Sequence, residues 1–268
     1  MARFARLILL LLLMVVTAAA TAAEWQELEP GLELGSFERH DDRQVVVKVV
    51  RVDPEHWEPV LLSTSAPGEG EMHSIKEWCL THNMVAGINA SMFQTDYLTS
   101  VSLLRDRHHV NNAYVSKDNT VLAFDPLQEG LSPVVMIDRT CDDFDLLRTQ
   151  YGTLVQSIRM ISCRGNNVWS QQKRKYSTAA IGVDSQGRLL LIHCRKPLPT
   201  HDMIALLQAM PLDLERCMYV EGGPEAQLFV HAGDKQIEFV GSFETGFFES
   251  DLNRTGWPVP NIIGIRKR

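Results

Sequence analysis

The stretch of this chain best equipped for chemistry is Met218-Tyr219-Val220-Glu221-Gly222-Gly223-Pro224-Glu225-Ala226-Gln227-Leu228-Phe229-Val230. An apolar strand runs into a carboxylate, the chain turns on two glycines and a proline, and a second apolar strand leaves. Strand ends place side chains at the rim of a sheet. Gly222 and Gly223 let the backbone approach a ligand closely or offer bare N–H groups to an anion. Pro224 lacks an N–H, so its neighbours must supply any such donors. Two readings stand side by side: a tight hairpin with a solvated glutamate, or a catalytic carboxylate at the edge of a cleft.

Other residues join this candidate. Arg159 interrupts the otherwise apolar run Gln156-Ser157-Ile158-Arg159-Met160 and is the best cation for an anionic ligand. An inward arginine needs a partner, whereas an outward one merely continues the alternation of a strand. Lys173-Arg174-Lys175 reads as a solvated loop rather than an anion clamp. His108 and His109 follow a turn, and adjacent strand residues face opposite ways, which argues against a metal pair. Asp96 and Tyr97, just past Phe93, are supporting groups, with Asp96 the next catalytic carboxylate after Glu221. Asp184 belongs to a turn. The aromatic, acidic segment Gly241–Asp251 suits one wall of a pocket.

The chain begins as a secreted protein would. Arg3 and Arg6 precede an apolar run from Leu7 to Val16 and small residues to Ala23, with Ala20-Thr21-Ala22 as a cleavage site. The run is short for a membrane span, so residues 1–23 read as a signal peptide and residues 24–268 as one large domain, periplasmic or secreted. An uncleaved N-terminal anchor is the alternative. Removing residues 1–23 deletes two arginines and no acid, moving the net charge from −7 to −9. That balance argues against nucleic acid or an anionic membrane surface as a partner, and no stable membrane insertion is expected after cleavage. Five cysteines in an exported chain permit disulfides but leave at least one thiol over. Cys79 and Cys217, in apolar stretches, read as buried; no C-x-x-C spacing suggests a zinc site.

The elements that must position these residues are hairpins with a few inserted helices. Val45–Val52 reads as a central strand and Trp57–Leu62 as the next. Ser74 and Glu77 form a capping box for a helix that presents Ile75, Trp78 and Cys79 on one face and stops at Asn83. A strand over Met84–Ile88 delivers Asn89. Hairpins are expected at Arg105–Arg107, Lys117–Asn119, Asp184–Gly187 and Ala232–Asp234. A second helix starts at Thr200, turns Met203, Leu206, Leu207 and Met210 inward, and stops at Pro211. The fold class is α+β, mostly antiparallel.

Four segments together carry a resemblance. They are Ala86-Gly87-Ile88-Asn89-Ala90-Ser91-Met92-Phe93, Ala180-Ile181-Gly182-Val183-Asp184 with Gln186–Leu191, the Glu221 stretch, and Pro260-Asn261-Ile262-Ile263-Gly264-Ile265. Their order and spacing resemble the phosphodiester glycosidase family from about Val45 to Ile265. The resemblance implies hydrolysis of the bond between a sugar's anomeric carbon and a phosphodiester, without cofactor or metal. The partner it implies is a carbohydrate or glycosyl phosphate, in an envelope polymer or glycoconjugate. It places Asn89, Gln156, Ser157, Asn261, Gly222 and Gly223 beside the substrate with Arg159, and Glu221 as the catalytic carboxylate. The departures are specific. Glu221 stands where the family has aspartate, Glu225-Ala226 replace a Ser-Ser pair, Ala90-Ser91 replace two glycines, and Thr178 takes the place of a strand arginine. The lost hydroxyls and arginine keep a second reading open, a non-catalytic carbohydrate- or peptidoglycan-binding protein. Asn89-Ala90-Ser91 and Asn253-Arg254-Thr255 also match a glycosylation sequon.

The implied reaction suits a site of carboxylates. Its leaving group is a phosphate monoester whose second pKa is roughly 6, so it needs less protonation than a sugar alkoxide. The paired acid and base of an ordinary glycosidase can then be relaxed.

Overall fold

The computed structural model describes residues 24–39 and 41–268; the expected signal segment 1–23 lies outside the described residues. The chain opens with four strands, β1 (Glu24–Glu29), β2 (Leu32–Arg39), β3 (Asp42–Val52) and β4 (Trp57–Ser63). Helix α1 (Ile75–Thr81) leads into β5 (Ala86–Asn89), β6 (Leu104–Arg105), β7 (Val110–Asn112), β8 (Thr120–Pro126) and β9 (Val134–Asp138). After α2 (Phe144–Leu147) come β10 (Tyr151–Ile161), β11 (Tyr176–Asp184) and β12 (Leu189–Leu198). Helix α3 (Thr200–Ala209) is followed by β13 (Leu214–Gly222), a 3-10 turn (Gly223–Glu225), β14 (Gln227–Ala232), β15 (Lys235–Val240) and β16 (Asn261–Lys267).

The strands form two antiparallel sheets. The larger has eleven strands and runs β1-β2-β3-β12-β11-β13-β10-β6-β7, with β8 pairing both β10 and β9; the smaller runs β15-β14-β5-β16-β4. The main core lies between them. Val50, Ile181, Leu191, Met218 and Val220 come from the larger sheet, and Ile88, Leu228, Val230 and Ile263 from the smaller. The opposite face of the larger sheet is covered by α3 through Met203, Ile204 and Leu207. Helix α1 covers the outer face of the smaller sheet with Ile75, Trp78 and Cys79. The result is four layers, helix, sheet, sheet, helix, each burying one face of its neighbour. Trp78 is fully buried, and truncating a tryptophan in such a place costs about 3–5 kcal/mol.

Several sequence-level expectations reappear as local structure. Ser74 accepts from the Glu77 amide while the Glu77 carboxylate accepts from the Ser74 amide, closing the capping box. Asn83 takes a left-handed conformation, φ 56°, just past the helix. Met203 and Leu207 are buried on α3, with Leu206 and Met210 packed against the same cluster.

Four expectations need correction. The chain is richer in strand than an α+β description implies, with only three α-helices among the described residues. The Glu221 stretch is not a hairpin: β13 pairs β10 and β11 in the larger sheet, whereas β14 pairs β5 and β15 in the smaller. The glycine turn therefore carries the chain from one sheet to the other. Lys117–Asn119 is likewise no hairpin, since β7 pairs β6 and β8 pairs β10 and β9. Both sequon asparagines are buried and bonded, Asn89 to Glu225 and Gln227 and Asn253 to Gly241, which leaves neither open to glycosylation. The cysteines resolve into one bridge, Cys141–Cys163, and three buried thiols, Cys79, Cys194 and Cys217.

Candidate active site

Strand β13 is apolar through Cys217-Met218-Tyr219-Val220, and its last turnable position is Glu221. Near its end β11 pairs Ala180 with Tyr219 but Ala179 with Glu221, so Val220 is an extra residue in the ladder. Such a bulge bends the strand and re-aims the side chains that follow. Gly223 then adopts φ +66°, a conformation that glycine takes without strain. A side chain on Gly222 would collide with the Tyr219 hydroxyl, and a Cβ on Gly223 would lie 2.7 Å from Glu244 Oε2 and 3.6 Å from Glu225 Oε2. Both glycines are therefore demanded by what surrounds them. Two carboxylates and a phenol converge on the bare backbone that follows Glu221.

The turn is braced from several sides. Asn89 Nδ2 donates to the Glu225 carbonyl (2.9 Å), and its Oδ1 accepts from the Gln227 amide (2.8 Å). Gln227 in turn accepts from the Ile75 amide at the start of α1 (3.1 Å) and donates to the Trp257 carbonyl (2.7 Å). The Gly241 amide donates to the Ala226 carbonyl (2.7 Å), and any Cβ on Gly241 would strike the Gly223 carbonyl. The segment Gly241–Asn253 is thereby pressed onto the turn. Ser177 fixes its start by accepting from the Ser242 and Phe243 amides, and a backbone bridge joins Tyr176 to Glu244. The segment expected to wall a pocket thus contributes Glu244.

Electrostatics follow from this crowding. Glu221 keeps a partly exposed edge, yet its surroundings strip away most of its hydration and raise its carboxyl pKa well above the ordinary value. Glu225 and Glu244 push it further the same way, against the Gly222 amide, which donates to Oε1 at 3.1 Å. Burial, aided by Glu244, raises Glu225 to about 7. Glu244 is raised by burial, but the Arg174 guanidinium draws it back. Tyr219 is only 6% exposed, and its phenol is pushed upward by burial and then by Glu221, Glu244, Tyr176 and Glu225. Among the described residues its hydroxyl has no hydrogen-bond partner. The arrangement gathers carboxyls biased towards their protonated forms and can offer a phenolic donor to something not made of protein.

The other residues singled out from sequence have engagements of their own. Asn89 is buried beneath the turn and holds it, as above. Ser157 donates to the Tyr219 carbonyl (2.5 Å) and so steadies β13. Gln156 accepts from the Leu103 and Ser116 amides and donates to the Ser116 and Asp118 carbonyls, filling both ends of its side chain. Arg159 does not join the carboxylates: it donates to both oxygens of Asp138 (2.7 and 2.9 Å) and to Thr140 (2.8 Å), beside the Cys141–Cys163 bridge. Asn261 accepts from Ser63 (2.7 Å) and is buried. Asp96 is exposed and caps its own loop through the Leu98 and Thr99 amides and the Thr99 hydroxyl, which hold its pKa low. Arg174 lies in an exposed loop, as read, yet its charge reaches Glu244. Glu244, Tyr219 and Tyr176 were not singled out from sequence. Only the acidic character of Gly241–Asp251 signalled the first.

Two surface depressions, of about 380 and 240 Å³, lie elsewhere, around Arg139 and Phe144 and around Met136 and Arg216. Neither is lined by Glu221, Glu225, Glu244 or Tyr219, so volume and chemistry part company and the site is assigned to the chemistry. No helix among the described residues is long and apolar enough to cross a membrane.

Comparison with known proteins then decides the family. The profile of the phosphodiester glycosidases matches residues 82–266, a span that contains β5, β11, the Glu221 turn and all but the last residue of β16. The chain belongs to the phosphodiester glycosidase family. No curated protein sequence matches it. Among solved structures, this phosphodiester glycosidase is similar to the catalytic domain of zebrafish N-acetylglucosamine-1-phosphodiester α-N-acetylglucosaminidase, auto-inhibited by its pro-peptide. The identity is 12% and the TM-score 0.61, over 92% of this chain and 87% of that one. A hypothetical protein from Synechocystis is equally similar, at 12% identity and TM-score 0.61, over 94% of this chain and 65% of that one. At such identities the likeness is one of fold.

Proposed function

We propose that this phosphodiester glycosidase is an exported hydrolase that cleaves the bond between a sugar anomeric carbon and a phosphodiester, in an envelope polymer or glycoconjugate. Residues 1–23 direct export and residues 24–268 form the catalytic domain. The observation that carries the reading is the desolvated Glu221 carboxyl at the mouth of a glycine turn, with Glu225, Glu244 and the unpartnered Tyr219 hydroxyl around it. A protonated Glu221 is neutral, so it can lie against an anionic phosphodiester and hydrogen-bond the departing oxygen. An ionised one would repel it. The zebrafish relative is named for an α-linked N-acetylglucosamine phosphodiester, which makes an aryl phosphodiester of that sugar the first substrate to try.

Glu221→Gln keeps the size of the side chain but cannot give up a proton. Positioned proton transfer contributes about 10²–10⁴-fold, so turnover should fall by that factor while sugar binding is kept. Equal turnover by wild type and variant would move the chemistry to another carboxylate. Binding of the sugar by both without hydrolysis by either would favour a carbohydrate-binding protein. Arg159 and Asn89, both spent on structure, are the observations on that side.

A further inference from the structure

The three carboxyls at the turn are not equivalent. Glu221 ends a strand inside the sheet and is the most strongly desolvated. Glu225 follows on the 3-10 turn. Glu244 comes from a different part of the chain, is half-buried, and is the one to which an arginine is electrostatically coupled. Its placement is fixed rather than incidental. The Tyr176 bridge pins its backbone, its amide donates to the Phe248 carbonyl (2.9 Å), and Phe247 and Phe248 amides return to its own carbonyl (3.2 and 3.0 Å). That closed turn aims the carboxylate over Gly223, where a Cβ would lie 2.7 Å from Oε2. The Tyr219 hydroxyl, on a side chain more than nine-tenths buried and without a partner, is aimed into the same space at Gly222. Its oxygen spends no hydrogen bond on the described residues, which leaves it available to a ligand acceptor such as a sugar or phosphate oxygen.

We infer that Glu244 is the second catalytic carboxylate, taking the proton of the attacking water while Glu221 protonates the leaving oxygen. The inference rests on the reading of Glu221 given above. The step balances. Water oxygen bonds to the anomeric carbon and its proton passes to Glu244. The bond from that carbon to the phosphate oxygen breaks with its electron pair on oxygen, and that oxygen takes the Glu221 proton. Glu244 then gives its proton up to solvent and solvent reprotonates Glu221, so both carboxyls return to their starting states. The electrostatics agree with this division of roles. Burial raises both carboxyls, but Glu221 is driven further up by Glu225 and Glu244, whereas Arg174 draws Glu244 back towards its ionised form. The groups around the pair are Tyr219 on β13, Tyr176 on β11, Glu225 on the turn and Arg174 in the loop before β11.

The test uses the full mature chain and an aryl phosphodiester of α-linked N-acetylglucosamine. Glu244→Ala should lose about 10²–10⁴-fold in kcat. Added azide should restore turnover by replacing water, giving a glycosyl azide of inverted, β configuration. Wild type should release the β sugar before mutarotation, read by proton NMR. Glu244→Gln, nearly the same size, should lose as much activity without azide and melt at the wild-type temperature. This guards against a folding defect in the alanine variant. Full activity in either variant, absence of rescue in a folded Glu244→Ala protein, an α azide, or release of the α sugar by wild type each overturns the role of Glu244 alone. No turnover by wild type overturns the reading of Glu221 and this inference with it.

Discussion

Asn89 grips Glu225 by its backbone and leaves its carboxyl untouched. Nδ2 donates to the Glu225 carbonyl at 2.9 Å while Oδ1 takes the Gln227 amide at 2.8 Å. One buried amide at the end of a strand of the small sheet thus closes the turn that leaves the large sheet. Asn89→Ala removes both bonds and strands the buried Gln227 N–H, while the Glu225 carbonyl keeps only the longer bond from Gln227 Nε2 (3.3 Å). At about 1 kcal/mol for each bond and further cost for the orphaned N–H, the loss should be about 2–4 kcal/mol. Urea unfolding of the purified variant reads it directly, and turnover should drop with the loosened turn.

Arg159 tests the division between structure and ligand binding. Its partner Asp138 is almost wholly buried and also accepts from the Cys163 and Thr140 amides. Breaking a buried pair by removing one charge typically costs about 3–5 kcal/mol, and the remaining donors put Arg159→Met toward the low end. The expected signature is a lower unfolding midpoint with KM unchanged. A raised KM at unchanged stability would restore Arg159 as the phosphate ligand that the sequence suggests.

His193 sets a pH dependence for stability. It is buried, its Nε2 lies 3.2 Å from the Ala226 carbonyl, and burial lowers its pKa from 6.5 to about 4. Below pH 6.5 the unfolded chain takes a proton that the folded one refuses, so stability falls as pH drops from 6.5 to 4. The full window amounts to about 3 kcal/mol. Glu225, raised to about 7, acts in the opposite sense, since its folded form takes up a proton first as pH falls from 7. The contribution of His193 is therefore the difference between wild type and His193→Gln, measured by thermal melting at pH 7 and pH 4.5. The variant should lose less stability on acidification.

Where sequence signals were local, they were readable. The Ser74–Glu77 box is a matter of four consecutive residues, and the valines of β3 declare a strand wherever its partners lie. The Glu221 turn misled because its flanking strands look alike in composition. Nothing in their periodicity says that β13 takes its partners from one sheet and β14 from another. Glu244 was hidden for a related reason: it lies in an aperiodic segment, and contacts with residues distant in sequence, the Tyr176 bridge and the Ser177 and Ala226 bonds, bring it to Gly223. For Arg159, an arginine within an apolar strand announces the need for an anion. Whether that anion is a distant aspartate or a ligand depends on packing that no short window contains.

The contacts that fix the turn between the sheets have one consequence for how this chain can change. Asn89 and Gln227 bond to the carbonyl of residue 225, and the Gly241 amide to that of residue 226. All three grip main chain, so the side chain at position 225 carries none of the frame. Ala226 is fully buried and offers no such freedom. Position 225 is thus a socket in which a hydroxyl, an amide or a carboxyl can be exchanged while the glycine backbone, Glu221 and Tyr219 stay where they are. The charge and hydrogen-bonding character at the mouth of the turn can drift at this one residue while the frame around it is kept.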